Sequence, residues 1–294
     1  MKLINNFKNR FLNKLFSSIK KRKYIQNSSE IKLVSKNLSN EIEIGVDTEF
    51  TWRKTYFPIL SLIQISTPNT LFILDCLNLK NDILYLKEIF EDETIIKIFH
   101  SLRGDISVLK SSHNFQIKNI YDTQIAENQI LEKEIQVGYK DLVKKYLNKN
   151  ILKSETKSNW GKRPLNEKQI EYAFKDVEHL IKIKQIQSKI LENKNKMANT
   201  YFLFEKEKKI AEKDFADLRI DRFLNKNKKA TSLDLEIFKW RENTAKKENI
   251  PPNEIFQEKN LKKISTVVNE RKIKEFLWLI KEEIYREKFM EKFL

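Results

Sequence analysis

Residues 45–50 read GVDTEF, which sets Asp47 and Glu49 at the end of an otherwise apolar stretch. Side chains two apart on a strand point to the same face, so these two acids lie side by side. Like charges that close repel, and two arrangements resolve the conflict: a solvated strand end with both acids facing water, or a cation between them. Two further segments bring groups of the same kind. FHSLRGD closes an apolar run and sets Asp105 in the first turn of a helix, where an acid also complements the helix dipole for about 0.3–1 kcal/mol. NEKQIEYAFKDVEHLIKI reads as a helix with Tyr172 and Asp176 four apart, on one face and one turn from each other. Singly, each has an ordinary explanation as a surface or dipole-complementing residue. Together, Asp47, Glu49, Asp105 and Asp176 are the donors that two hard divalent cations need: oxygen ligands, with positions left open for water and substrate. Two such ions can clamp the attacking and leaving oxygens of an in-line phosphoryl displacement, and a phenol such as Tyr172 can orient the water without being a ligand.

The elements that must position these groups follow from hydrophobic period. EIEIGVDTEF, ILSLIQIST, TLFILDCL and TIIKIFH are short, apolar and rich in branched side chains, and read as four strands. Residues 31–40 read as a short helix or lead-in, and 81–91 have helical spacing. Helices dominate afterwards. Strands first and helices interleaved later predict an α/β layer fold with a mixed sheet. NKNKK at 225–229 is a polar break, and PPN at 251–253 opens a new helix after a turn. The text from about residue 205 onward predicts a separate small helical domain.

Composition narrows the class. The chain has 294 residues, 40% of them apolar, enough for one large domain or two ordinary ones with real cores. Fifty-seven Lys and Arg against 41 Asp and Glu give a formal charge of +16, which points to a polyanionic partner, although a lysine- and asparagine-rich text with 4 glycines also fits an AT-rich gene. The single cysteine, Cys76, excludes an internal disulfide and a Cys-rich zinc site and suits a reducing compartment. No apolar run is long enough to span a bilayer. Residues 1–29 hold no acid, and Leu3, Ile4, Phe7, Phe11, Leu12, Leu15, Phe16 and Ile19 recur at helical spacing among basic residues. Such a basic amphipathic helix could lie on an anionic membrane, address an organelle, touch RNA, or be a frayed extension.

DTEF followed by RKTYFPILSLIQI, then FHSLRGD, then SNWGKRPLNEKQIEYAFKDVEHL, closely resembles the ribonuclease D family, in the tyrosine-containing branch of the DEDD superfamily, over residues from about 30 to 195. The resemblance implies a ribonuclease H-like exonuclease fold of the α/β class, with a mixed central sheet flanked by helices. It implies metal ligands at Asp47, Glu49, Asp105 and Asp176 for two divalent cations, Mg²⁺ or Mn²⁺, a water-orienting Tyr172, and a nucleotide pocket walled by Phe50, His100 and Trp160. Phe174 and Lys175 stand where the family usually has small residues, and Asn159 stands where an aspartate is usual. None of these departures removes a ligand.

LDLEIFKWRENTAKKENIPPNEIFQEKNLKKIS looks like an HRDC domain, a small helical module, with Trp240, Arg241, Ala245 and Pro251 carrying the match. Lys239, Arg241, Lys246 and Lys247 are candidate phosphate contacts or a solvated basic face. The organisation expected is a basic extension over 1–29, a 3′-5′ exonuclease domain over 30–204 and an all-α HRDC-like domain over 205–294. The implied activity is 3′-5′ trimming of tRNA precursors and other structured RNAs to nucleoside 5′-monophosphates, with no obligate protein partner. A DNA 3′-5′ exonuclease and a non-catalytic RNA-binding adaptor are the alternatives. A bacterial cytoplasm fits the family, and a mitochondrial matrix would fit the acid-free N-terminus.

Overall fold

The structure is a computed structural model describing residues 20–52, 54–151, 155–156, 158–272 and 277–293. The chain divides into two units, one of Met1–Thr51 with Leu60–Ala211, the other of Trp52–Ile59 with Glu212–Leu294. The amphipathic pattern expected over residues 1–19 lies outside the described residues.

The first unit is built on a six-stranded mixed sheet in the order β1-β4-β3-β2-β5-β6. Its strands are β1 (Lys21–Ile25), β2 (Glu43–Thr51), β3 (Ile59–Ser66), β4 (Thr70–Asp75), β5 (Ile96–Phe99) and β6 (Ile120–Asp122). β1 runs parallel to β4, β5 is parallel to both β2 and β6, and β3 is antiparallel to β4. Helices α1 (Ser28–Leu38), α2 (Arg103–His113), α3 (Thr123–Leu131), α4 (Tyr139–Leu147), α5 (Glu167–Glu178), α6 (Leu180–Asn193) and α7 (Met197–Ala211) flank it. Leu62, Ile63, Ile65, Ile73 and Leu74 on the inner strands are wholly buried, as expected of strands covered on both faces.

Two expectations change. The basic text at 21–25 is an edge strand rather than part of an extension, so the sheet begins before residue 30. Its lysines and arginine are exposed, which an edge strand tolerates, and Arg22 grips α5, pairing with Glu171 at 2.5 Å and lying 5.3 Å from the Phe174 ring centroid, while Lys20, just ahead of the strand, donates to the Glu178 carbonyl at 3.0 Å. The boundary expected after residue 204 falls after Ala211, because α7 runs on to that residue with Phe204 and Ala211 in the first unit's core.

Gly45 shows how closely the elements meet under the site. A Cβ there would come within 2.4 Å of Ser66 Oγ and 2.9 Å of Leu180 Cβ, so only glycine lets β2 lie against β3 and α6 at this separation.

The second unit is built of helices joined by turns, α8 (Phe215–Lys226), α9 (Ser232–Glu248), α10 (Leu261–Asn269) and α11 (Glu283–Phe293) among them, together with the non-helical segment 52–58. Its core takes Tyr56, fully buried, from the short segment that follows β2. Asn249, left-handed at the end of α9, turns its side-chain oxygen to accept from the N–H groups of Tyr56 at 3.1 Å and Phe57 at 3.2 Å. Trp240 packs edge-on against Phe289 at 5.0 Å, in keeping with a packing role.

Candidate active site

Three segments of the first unit converge at the end of β2. Asp47 and Glu49 come from the strand, and α5, which packs on β2 and β4, contributes Asp176. Carboxylate oxygens of Asp47, Glu49 and Asp176 lie within 4.8 Å of one another. Asp105, in the first turn of α2, stands just outside that trio. Its Oδ1 accepts from the Thr48 N–H at 3.0 Å and the Thr48 hydroxyl at 2.6 Å, which ties α2 to the strand between the two β2 acids. Asp105 remains close enough to be the strongest acidic influence on Asp47.

Electrostatics mark the acids of the group as mutually repelling. Burial, then the charges of Asp105, Asp176 and Glu49, raise the Asp47 carboxyl well above the ordinary carboxylate range. Burial, then Asp176 and Asp105, push Glu49 up to about 9. Burial pushes Asp105 up to about 7 even though its Thr48 bonds favour the charged form. Among the described residues, Asp47, Glu49 and Asp105 form no ion pair with lysine or arginine. Crowded, part-buried carboxylates are the situation that a bound divalent ion relieves, and an all-oxygen donor set suits a hard one.

The chain approaching Asp105 is bent for the purpose. Ser101 takes a left-handed conformation at φ 64°, a strained setting for a residue with a side chain. Asp122, buried at the end of β6, offsets that cost: one carboxylate oxygen accepts from the Leu102 N–H at 2.6 Å, and the other caps α3 through Gln124 at 2.7 Å and Ile125 at 2.9 Å. This residue escaped the sequence reading, although an Asp just ahead of a helix is a readable cap.

Tyr172 is buried on α5, 7% exposed, and burial followed by the charge of Asp176 raises its phenol far above the ordinary value. It therefore keeps its proton and can donate. Trp160 stands 5.9 Å from the Tyr172 ring, centroid to centroid, with its indole N–H buried and unpartnered. Phe50 lies over the first turn of α2, 3.7 Å from where a Gly104 Cβ would be. His100 is further round: its Nδ1 meets the Thr123 hydroxyl at 2.9 Å and its ring faces Tyr139 at 5.7 Å. That bonding anchors His100 just past the end of β5.

Three more residues hold the site in shape. Tyr139 is buried, and its hydroxyl accepts from the His179 N–H at 3.0 Å where α5 breaks into α6, three residues past Asp176. Gln169 completes a capping box with Asn166 and also donates to Ser158 Oγ at 2.8 Å, which fixes the strap leading to Trp160. Arg163 forks onto Asp75 at 2.7 and 2.8 Å and anchors the same strap to β4. The N-x-x-Q cap was legible as text, but the long-range Asp75–Arg163 pair was not.

Comparison with known proteins agrees with this geometry. Residues 23–192, more than half of the chain, match the family described as 3′-5′ exonuclease. Ribonuclease D of Desulfotalea psychrophila is 37% identical over 150 residues, covering 51% of this chain and 39% of its own length. That of Granulibacter bethesdensis is 28% identical over 249 residues, covering 82% of this chain and 62% of its own length. The chain thus spans less than two thirds of the length of these curated relatives. Among solved structures, Escherichia coli RNase D, described as an exoribonuclease involved in structured RNA processing, superposes with a TM-score of 0.76 at 24% identity, covering 83% of this chain and 66% of that one. The likeness is one of fold, a mixed sheet with flanking helices of the ribonuclease H-like exonuclease kind.

Proposed function

This chain belongs to the 3′-5′ exonuclease family, and from that premise we propose that it is a ribonuclease D-like exoribonuclease that trims the 3′ ends of RNA, 3′-extended tRNA precursors among them, releasing nucleoside 5′-monophosphates. The observation that carries the reading is the convergence of Asp47, Glu49 and Asp176, with Asp105 beside them, as a crowded, part-buried acidic group. RNA as the polymer is supported by the relatives named ribonuclease D and by the formal charge of +16.

Asp47, Glu49, Asp105 and Asp176 would hold two divalent cations, Mg²⁺ or Mn²⁺. Such ions, when bound, supply the charge that the scissile phosphate and the departing 3′-oxygen require and lower the pKa of water. Tyr172 donates its phenolic hydrogen and aims the attacking water, a role open to a tyrosine that burial keeps protonated. Phe50 offers an apolar face to the terminal nucleotide, and Trp160 offers the buried indole N–H beside Tyr172. His100 acts by fixing the β5 end through Thr123. Residues 212–294 are read as an HRDC-like module. The buried single thiol of Cys76 fits a reducing compartment such as a bacterial cytoplasm.

The test is a time course of 5′-end-labelled RNA, and DNA of the same sequence, with Mg²⁺, with Mn²⁺ and with EDTA. The expected result is a ladder shortening from the 3′ end in RNA, dependent on metal and lost in Asp176→Asn. Internal cuts, equal activity in EDTA, or equal degradation by wild type and variant would overturn the reading.

A further inference from the structure

Tyr172 has one hydrogen to give, and the proposed reaction needs it aimed at a water. A phenolic O–H lies in the plane of its ring, where it has two directions, so a donor seated on one side leaves the hydrogen the other. Both sides of the Tyr172 hydroxyl are occupied. Asp176, one turn on along α5, is bonded to it, and an ionised carboxylate can only accept, so the phenolic hydrogen goes there. The side chain of Thr156 bonds the same hydroxyl. With the phenolic hydrogen committed to Asp176, the Thr156 O–H is the donor in that second bond.

Thr156 reaches this place on the strap that leads to Trp160. The Ser158 N–H donates to the Glu155 carbonyl at 2.8 Å and closes a turn with Thr156 inside it. Three ties set that turn over α5. Gln169, three residues before Tyr172 and so on the same face of the helix, donates to Ser158 Oγ at 2.8 Å. Trp160, itself 3% exposed, lays its ring 5.9 Å from that of Tyr172. Arg163 donates to the Trp160 carbonyl at 2.8 Å while its fork holds Asp75. With three ties, the loss of one leaves the strap in place. Thr156 is exposed, and an exposed turn residue adds little to stability, which separates a role through Tyr172 from a role in folding.

We propose that Thr156 is a positioning residue for the reaction: its hydroxyl donates to the Tyr172 oxygen, fixes the direction of the phenolic hydrogen, and strengthens the phenol as a donor to the attacking water. This rests on the exoribonuclease reading of the acidic site. A hydroxyl that accepts a hydrogen bond gives its own more strongly, because bonds in a chain polarise one another. The hydrogen is turned toward Asp176, the side on which the acids converge, so the water it aims is one on that side.

The experiment uses the full chain, with Thr156→Val and Thr156→Ser each made in the wild type and in Tyr172→Phe. Steady-state hydrolysis of an unstructured RNA is followed with Mn²⁺. In the wild type, Thr156→Val is expected to lower kcat roughly fivefold, the scale of one neutral hydrogen bond, with KM, the metal concentration at half-maximal rate and the melting temperature unchanged. Thr156→Ser, which keeps the hydroxyl, should restore the rate. In the Tyr172→Phe chain, Thr156→Val should cost nothing further, since the group it acts through is gone. Fluorine NMR of the fluorotyrosine-labelled chain reads the contact without substrate. The resonance missing from Tyr172→Phe should move in Thr156→Val and stay in Thr156→Ser. Equal losses of rate in both backgrounds would overturn the proposal, as would a rise in KM at constant kcat, the mark of a loosened strap. If the wild type cuts RNA and the resonance stays put in Thr156→Val, the positioning role alone falls. If the resonance moves but the wild type cuts no polymer, the contact is upheld and the exoribonuclease reading falls.

Discussion

A buried carboxylate and a part-buried cluster of them, both supported by the same sheet, have opposite electrostatic fates. At the β4 end, burial would raise the Asp75 carboxyl, but the Arg163 fork and the Tyr24 hydroxyl at 2.5 Å outweigh it and hold the group below its ordinary value. At the β2 end, burial acts the same way on Asp47, Glu49 and Asp105, and their neighbours add repulsion. The fold neutralises buried acids elsewhere in the same way, Glu127 with Lys145 and Glu43 with Lys184 among them. Asp75 is given its cation by the chain, whereas the β2 cluster is the place proposed here to receive one from outside.

The contrast breaks most sharply under substitution by the isosteric amide. Asp47→Asn is expected to lower the exonuclease rate on the order of 10³-fold, the scale of losing one stabiliser of transition-state charge, while raising the metal-free melting temperature, because it removes repulsion. Initial rates and calorimetric melts of the same preparation check both halves. Asp75→Asn should do the reverse, costing about 3–5 kcal/mol by stranding Arg163, with activity at low temperature largely kept; a denaturant titration reads it. Tyr172→Phe sharpens the line between holding a cation and aiming water. It should slow the reaction about 10²-fold, the lower range for a positioned proton donor, without altering the metal concentration at half-maximal rate. Smallest is Gln169→Ala, which removes half of the α5 capping box and the strap bond to Ser158. About 1 kcal/mol of stability and a rise in KM, with kcat nearly constant, are expected from melts and steady-state kinetics.

The chemistry was more legible in the sequence than its supports. Asp47 and Glu49 declared themselves because a strand's period of two puts them together, and Tyr172 with Asp176 because a helix turn does the same. β1 was missed for the opposite reason. KRKYI is an edge strand with its first three residues exposed, so it shows no alternation, and its charge reads as a solvated tail until Glu171 and Phe174 are seen across from Arg22. β6 spans three residues, Ile120–Asp122, too few to establish any period. The transfer of Trp52–Ile59 into the helical unit depends on Asn249 meeting the backbone of Tyr56, almost two hundred residues away in sequence, and no local pattern announces that.

The β2 cluster as a receptor for divalent cations is tested most directly by melting the wild type and Asp47→Asn between pH 6 and 8.5, with and without Mn²⁺. In the metal-free folded protein Glu49 holds its proton up to about 9 and Asp105 up to about 7, against ordinary values of 4.5 and 3.8. The folded state therefore binds more protons than the unfolded one across this range, and these groups cost stability increasingly as pH rises. Mn²⁺ competes with those protons and binds only the folded site. The wild type is expected to lose stability relative to Asp47→Asn as pH rises without metal, and to gain from Mn²⁺ by an amount that grows with pH and is absent in the variant. An equal Mn²⁺ gain in both proteins, or none in the wild type at any pH, would contradict it.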